Sequence, residues 1–144
     1  MSRCCENIYQ NARKGANLTQ QQAAELLHIS PRSLCDYESG KTVPADDIVC
    51  NMIEVYGTEW LGYQHLKQST LVGQKYLPDI ECTDLAKSVL RLQKEVSDLD
   101  NVNRDMIDIA CDGVIHDHEE PIWRNITKEI YEMAGAALAV IFSR

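Results

Sequence analysis

The residues most able to do chemistry are six cysteines (Cys4, Cys5, Cys35, Cys50, Cys82 and Cys111), four histidines and a cluster of acids near residue 110. No two cysteines form a C-x-x-C pair, so they read as reduced, small, mostly buried apolar residues, and no metal ligand set is assigned. His116 and His118 have no third ligand at loop or helical spacing and read as solvated residues before a helix. Asp108, Asp112, Gly113, Ile115 and Glu119 fall at positions 1, 5, 6, 8 and 12 of a calcium loop. Ala110 at the third position offers no side-chain oxygen, and a helix ending at Gly113 followed by a cap at Asp117 accounts for the same residues. There is no nucleophile–base–orienter arrangement and no glycine-rich phosphate loop, so neither an enzyme nor a cofactor is expected.

The remaining chemistry is recognition of phosphates and base edges. Gln20, at the start of a helix, carries an amide that can donate to a phosphate beside a positive helix end. Ser30, Pro31, Arg32, Ser33 and Asp36 crowd the first turns of the next helix. Arg32 has the planar fork that pairs with guanine in the major groove, and Asp36 can accept from the cytosine amino group or repel phosphates.

These side chains need two short helices and a tight turn. Glu6–Lys14 reads as a helix with Ile8, Tyr9 and Ala12 inward, ended by Gly15. Thr19 with Gln22 is a capping-box pattern opening a second helix that buries Ala23, Ala24, Leu26 and Leu27. Ser30 caps a third, with Pro31 at its first position, running to Glu38 or Ser39 and stopping at Gly40. A fourth begins at Pro44, turns Ile48, Val49, Met52, Ile53 and Tyr56 inward and closes at Gly57. Thr58 caps a fifth, with Trp60 and Leu61 inward.

The run from Leu18 to Ser30, followed by Tyr37-Glu38-Ser39-Gly40-Lys41 and Pro44, resembles the phage lambda repressor-like (XRE-type) helix-turn-helix DNA-binding family over residues 6–66. The resemblance implies a five-helix domain whose third helix enters the major groove through residues 30–36. It implies phosphate contact by Gln20 and backbone contacts by Ser39, Lys41 and Thr42. It also implies a structural ion pair between Arg13 and Glu38 that braces the first helix against the third. His28 stands where relatives usually carry glycine, and histidine is among the residues that tolerate positive φ.

Charge and length set the frame. The 144 residues carry 14 Lys and Arg against 22 Asp and Glu, a net charge of −8. Residues 1–70 hold −2 and residues 71–144 hold −6, which counts against unspecific nucleic-acid or anionic-membrane binding. The apolar stretch Ala134–Phe142 falls far short of the roughly 20 residues that span a bilayer. The N-terminus lacks a signal-peptide core, and a cytoplasmic protein is expected.

The expected organisation is all-α: a DNA-binding domain over 1–68, a linker over 69–81 and a C-terminal helical hairpin or three-helix region over 82–144. In the last, Cys82 or Thr83 caps a helix with Leu85, Val89, Leu92, Val96 and Leu99 at heptad spacing. A second helix holds Val102, Met106, Ile109 and Ala110. A third starts at Asp117 and carries Ile122, Ile126, Ile130, Met133, Ala137 and Val140. The middle helix is too short to cover both stripes, which predicts a homodimer through these helices. The expected function is a sequence-specific transcriptional regulator of bacterial or phage origin that binds double-stranded DNA. The alternatives are the same fold used as a protein-interaction module, antirepressor or antitoxin-like, and a calcium-responsive helical protein.

Overall fold

The computed structural model describes residues 7–81 and 83–143. Among these there are eight helices and no strand. They divide into two compact units, the first ending at Leu77 and the second beginning at Pro78.

The first unit holds α1 (Ile8–Gly15), α2 (Gln20–Leu26), α3 (Pro31–Glu38), α4 (Asp46–Tyr56), α5 (Trp60–Ser69) and α6 (Leu71–Tyr76). Local chemistry starts the first three. Asn7 caps α1, its Oδ1 accepting from Tyr9 N at 2.9 Å, while its Nδ2 donates to the Tyr37 carbonyl at 2.8 Å and ties α1 to α3. The expected start at Glu6 lies outside the described residues. Thr19 and Gln22 form the reciprocal capping box on α2. Ser30 Oγ accepts from Ser33 N at 3.0 Å, with Pro31 as the first residue of α3. Gly57, in the left-handed region, ends α4. The core of this unit is Tyr9, Ala12, Ala23, Ala24, Leu27, Leu34, Val49, Met52, Tyr56 and Leu61. Leu26, expected inward, is exposed.

The stretch 69–81 is not an unstructured connection. Thr70 Oγ1 accepts from Gly73 N and caps α6. Gly73 is buried so close to α5 that a Cβ there would meet the Leu66 carbonyl, and this contact, invisible to helical periodicity, docks the short helix. Residues 78–81 belong to the second unit, where Ile80 is buried and Asp79 lies against α8.

The second unit is a hairpin of α7 (Leu85–Ala110) and α8 (Glu120–Ile141), not a three-helix region. The expected first and second helices are one continuous 26-residue helix, because nothing between Leu99 and Val102 breaks the backbone. Its cap is Asp84, which accepts from Lys87 N, and not the expected Thr83; the other expected cap, Cys82, lies outside the described residues. α8 starts at Glu120, slightly beyond the expected Asp117 cap. Gly135, Ala136 and Ala139 are buried on α8, and a Cβ on Gly135 would sit 2.7 Å from the Asp79 carbonyl. Small residues here let the 78–81 segment cross the helix closely. Ser143 Oγ donates to Ser88 Oγ at 2.7 Å, joining the end of α8 to the start of α7.

The buried stripe of α7 is offset from the expected one. Ser88, Glu95 and Ile109 are buried, with Leu92, Leu99, Val102 and Met106 half-buried between them. Leu85, Val89 and Val96, from the expected seam, are 57%, 39% and 39% exposed. One partner helix covers one stripe, and α7 carries two. The cysteine expectation is also corrected: Cys35, Cys50 and Cys111 are free and exposed, while Cys4, Cys5 and Cys82 lie outside the described residues. No described helix is long and apolar enough to cross a membrane.

Candidate nucleic-acid interface

Three elements meet at Glu38. Arg13 on α1 donates to its carboxylate twice, Nε to Oε1 at 2.6 Å and Nη2 to Oε2 at 2.9 Å. Arg13 Nη1 also donates to the Leu18 carbonyl at 2.7 Å, just before α2. Gln20, the first residue of α2, donates its Nε2 to Glu38 Oε2 at 2.8 Å. Arg13 and Glu38 are both buried. The bidentate carboxylate holds the guanidinium pKa above its ordinary value, outweighing the opposing effect of burial. The Tyr56 hydroxyl is buried without a hydrogen-bond partner, and burial pushes its pKa up to about 12. One charge-neutralised network thus fixes α1, α2 and α3 to each other.

The turn between α2 and α3 is held in the same economical way. His28 adopts φ 55°, the conformation expected of a residue standing in for glycine. Ile29 N donates to the Ala24 carbonyl at 3.0 Å, closing the end of α2. Two residues later α3 begins, so its orientation relative to α2 leaves little freedom.

The side chains at the start of α3 then fall into two groups. Ser30 and Ser33 are engaged with each other, their hydroxyls 2.8 Å apart, so both serve the helix cap. Pro31 and Arg32 are exposed. Arg32 makes no hydrogen bond or ion pair among the described residues. Cys35, one turn further, is exposed as well.

At the other end of α3, the Asp36 carbonyl accepts from Lys41 N at 3.0 Å, Thr42 N at 3.2 Å and Ser39 Oγ at 3.2 Å. Lys41 Nζ lies 3.3 Å from Asp36 Oδ1. Asp36 is half-buried, whereas Ser39, Lys41 and Thr42 are exposed. The structure therefore groups Ser39, Lys41 and Thr42 around one carbonyl and neutralises part of Asp36 with Lys41.

Two arrangements escape a reading of the sequence. Gln20 and Glu38 are 18 residues apart and nothing local links them. His65, buried on α5, is hydrogen-bonded to Tyr9 Oη at 2.8 Å and lies 3.0 Å from Asp46 Oδ1, joining α1, α5 and the start of α4. Its spacing of four from Leu61, on the buried face of α5, is the one signal that could have found it. Burial pushes the Tyr9 hydroxyl up to about 12.

Two acids of residues 108–119, Asp112 and Glu119, are engaged in the connection between α7 and α8. Asp112 Oδ1 accepts from Val114 N at 3.0 Å and Glu119 Oε2 from His116 N at 2.9 Å. His116 Nε2 lies 2.9 Å from Asp112 Oδ2, and the two histidine rings stack at 5.8 Å.

Residues 10–61 match the family described as helix-turn-helix, in its lambda repressor-like (XRE-type) form. The match supports a DNA-binding helix-turn-helix regulator over that part of the chain. No curated protein and no solved structure matches the chain.

Proposed function

We propose that the protein is a sequence-specific transcriptional regulator of bacterial or phage origin, acting in the cytoplasm, with α3 in the major groove of operator DNA. The observation that carries this reading is Arg32: an exposed guanidinium with no ion pair among the described residues, on the first turn of a helix fixed by a buried network. A fork kept free of carboxylates is ready for bidentate contact with guanine. Gln20 uses one amide hydrogen on Glu38, and the second remains for a phosphate. Ser30, Pro31, Ser33 and Asp36 shape the reading surface, and Ser39, Lys41 and Thr42 meet the backbone beside it.

Homodimerisation through α7 and α8 completes the proposal. Leu85, Val89, Leu90 and Val96 on α7, and Ile122, Tyr131 and Ile141 on α8, are exposed apolar side chains. A second copy would cover them and pair two DNA-reading units on two half-sites.

One observation favours the alternative of a protein-interaction module. Lys41 is tied to Asp36, which lowers the positive charge offered to phosphates. Alkylation of Cys35 separates the two readings. If α3 enters DNA, a duplex selected from a random pool slows modification of Cys35 but not of Cys111, read by peptide mass spectrometry. Equal rates with and without every selected duplex would reject the DNA-binding assignment of α3.

A further inference from the structure

Midway along the hairpin, α7 and α8 bring three glutamates together. Glu95 comes from α7, and Glu129 and Glu132 come from α8 with a spacing of three that places them on one face. One carboxylate oxygen from each lies within 4.8 Å of the other two. Glu95 occupies an inward position between Leu92 and Leu99 where an apolar residue would pack, and it is only 6% exposed. Its Oε2 is buried and accepts no hydrogen bond.

A buried carboxylate oxygen with no donor is costly, and two neighbouring carboxylates raise that cost. The lysines at the rim compensate only loosely. Lys94 Nζ stands 3.5 Å from Glu95 Oε1, having its close contact with Asp98 at 2.7 Å. Lys128 Nζ stands 3.5 Å from Glu132 Oε1. Both distances exceed the roughly 2.7–2.9 Å of a good charge-assisted hydrogen bond.

We propose that Glu95, Glu129 and Glu132 bind a hard divalent cation of calcium size between α7 and α8. The donor set is all oxygen, which selects Ca²⁺, Mn²⁺ or Mg²⁺ over the softer transition metals. Two oxygens bound to one Ca²⁺ at about 2.3–2.6 Å are at most about 5 Å apart, whereas about 2.1 Å to Mg²⁺ demands a tighter cluster. The three oxygens lie within 4.8 Å of one another, inside the reach of calcium. Water fills the rest of the sphere, since half-buried Glu129 and exposed Glu132 leave one side open. The site is separate from the 108–119 turn, and bound cation would pin α7 against α8 by giving the buried Glu95 oxygen a partner.

The test uses the full chain stripped with chelator. Isothermal titration with CaCl₂ should show one site per chain with Kd of about 1 mM or tighter. The thermal midpoint should rise with calcium in a saturable way. Glu95→Gln should abolish both responses while raising the midpoint of the metal-free protein, because it removes a buried charge. Glu129→Gln, on the half-buried side, should weaken binding at least about tenfold, keeping the test valid if Glu95→Gln does not fold. Asp112→Asn should leave calcium binding unchanged. The proposal is overturned if no heat or midpoint shift appears up to 10 mM (about ten times the weakest expected Kd). It is equally overturned if binding survives Glu95→Gln, is weakened less than about tenfold by Glu129→Gln, or is lost in Asp112→Asn.

Discussion

Arg13 ties α1 to α3 and to the segment before α2. It satisfies Glu38 twice and the Leu18 carbonyl once, and Glu38 in turn holds Gln20. Deleting one member leaves a buried charge without compensation. Arg13→Ala should cost about 3–5 kcal/mol of stability in urea unfolding, and an Arg13→Met/Glu38→Leu double replacement should recover much of it. A double mutant no more stable than Arg13→Ala would contradict the assignment. The residue at the turn is a second test. His28 sits at φ 55°, where a β-branched side chain clashes with its own backbone. His28→Val should destabilise by roughly 1–2 kcal/mol; an unchanged urea midpoint would mean the turn relaxes to another conformation. The ion pair was legible through the spacing of Arg13 and Glu38 in the family pattern. The contact of Gln20 with Glu38 was not, because it depends on how α2 lies across α3.

At the level of elements, the helices that carry their own start signals were readable. Thr19 with Gln22 and Ser30 with Pro31 satisfy backbone donors locally, so residue type alone fixes where α2 and α3 begin. The C-terminal hairpin was harder to read. Its long helix carries two overlapping apolar stripes, and the one against α8 is interrupted by Ser88 and Glu95, which made the other look like the core. The expected division between Leu99 and Val102 lies inside α7. The connection after α7 makes a prediction of its own. The Asp112 carboxylate raises the His116 pKa above 6.5 by hydrogen bonding, and its own pKa is lowered chiefly by the same bond. The raised histidine contributes stability present below its unfolded pKa and lost as pH rises through its folded pKa. The lowered aspartate contributes stability present above its unfolded pKa and lost as pH falls through its folded pKa. The pair is exposed, so the net effect on folding is small. Proton NMR of the His116 ring should show a midpoint above 6.5 that falls in Asp112→Asn. A midpoint unmoved by that substitution would remove the pairing.

For the whole molecule, the acidic balance resolves into position. Net −8 does not favour nucleic acid, yet the first unit presents Arg32 without a carboxylate partner among the described residues and neutralises its buried acid with Arg13. A single unit with so few cations should bind DNA weakly, so pairing through α7 and α8 is expected to govern affinity. Light scattering during size exclusion at tens of micromolar, a concentration that reveals even Kd values of about 1 μM, should give twice the chain mass. Placing charge on the exposed stripe with Val89→Glu and Val96→Glu should give the monomer. A wild-type monomer would end the dimer proposal while leaving the DNA-reading surface standing.

That surface is tested most directly by fluorescence anisotropy on a duplex selected from a random pool and on variants with single base-pair changes, at one fixed salt concentration. Arg32→Ala should weaken binding to the selected duplex by about 1–3 kcal/mol and flatten the preference at one base pair. Gln20→Ala should weaken all duplexes alike, because phosphate contacts carry no sequence information. The account is contradicted if Arg32→Ala weakens every duplex equally, or if the folded wild-type protein distinguishes none of them.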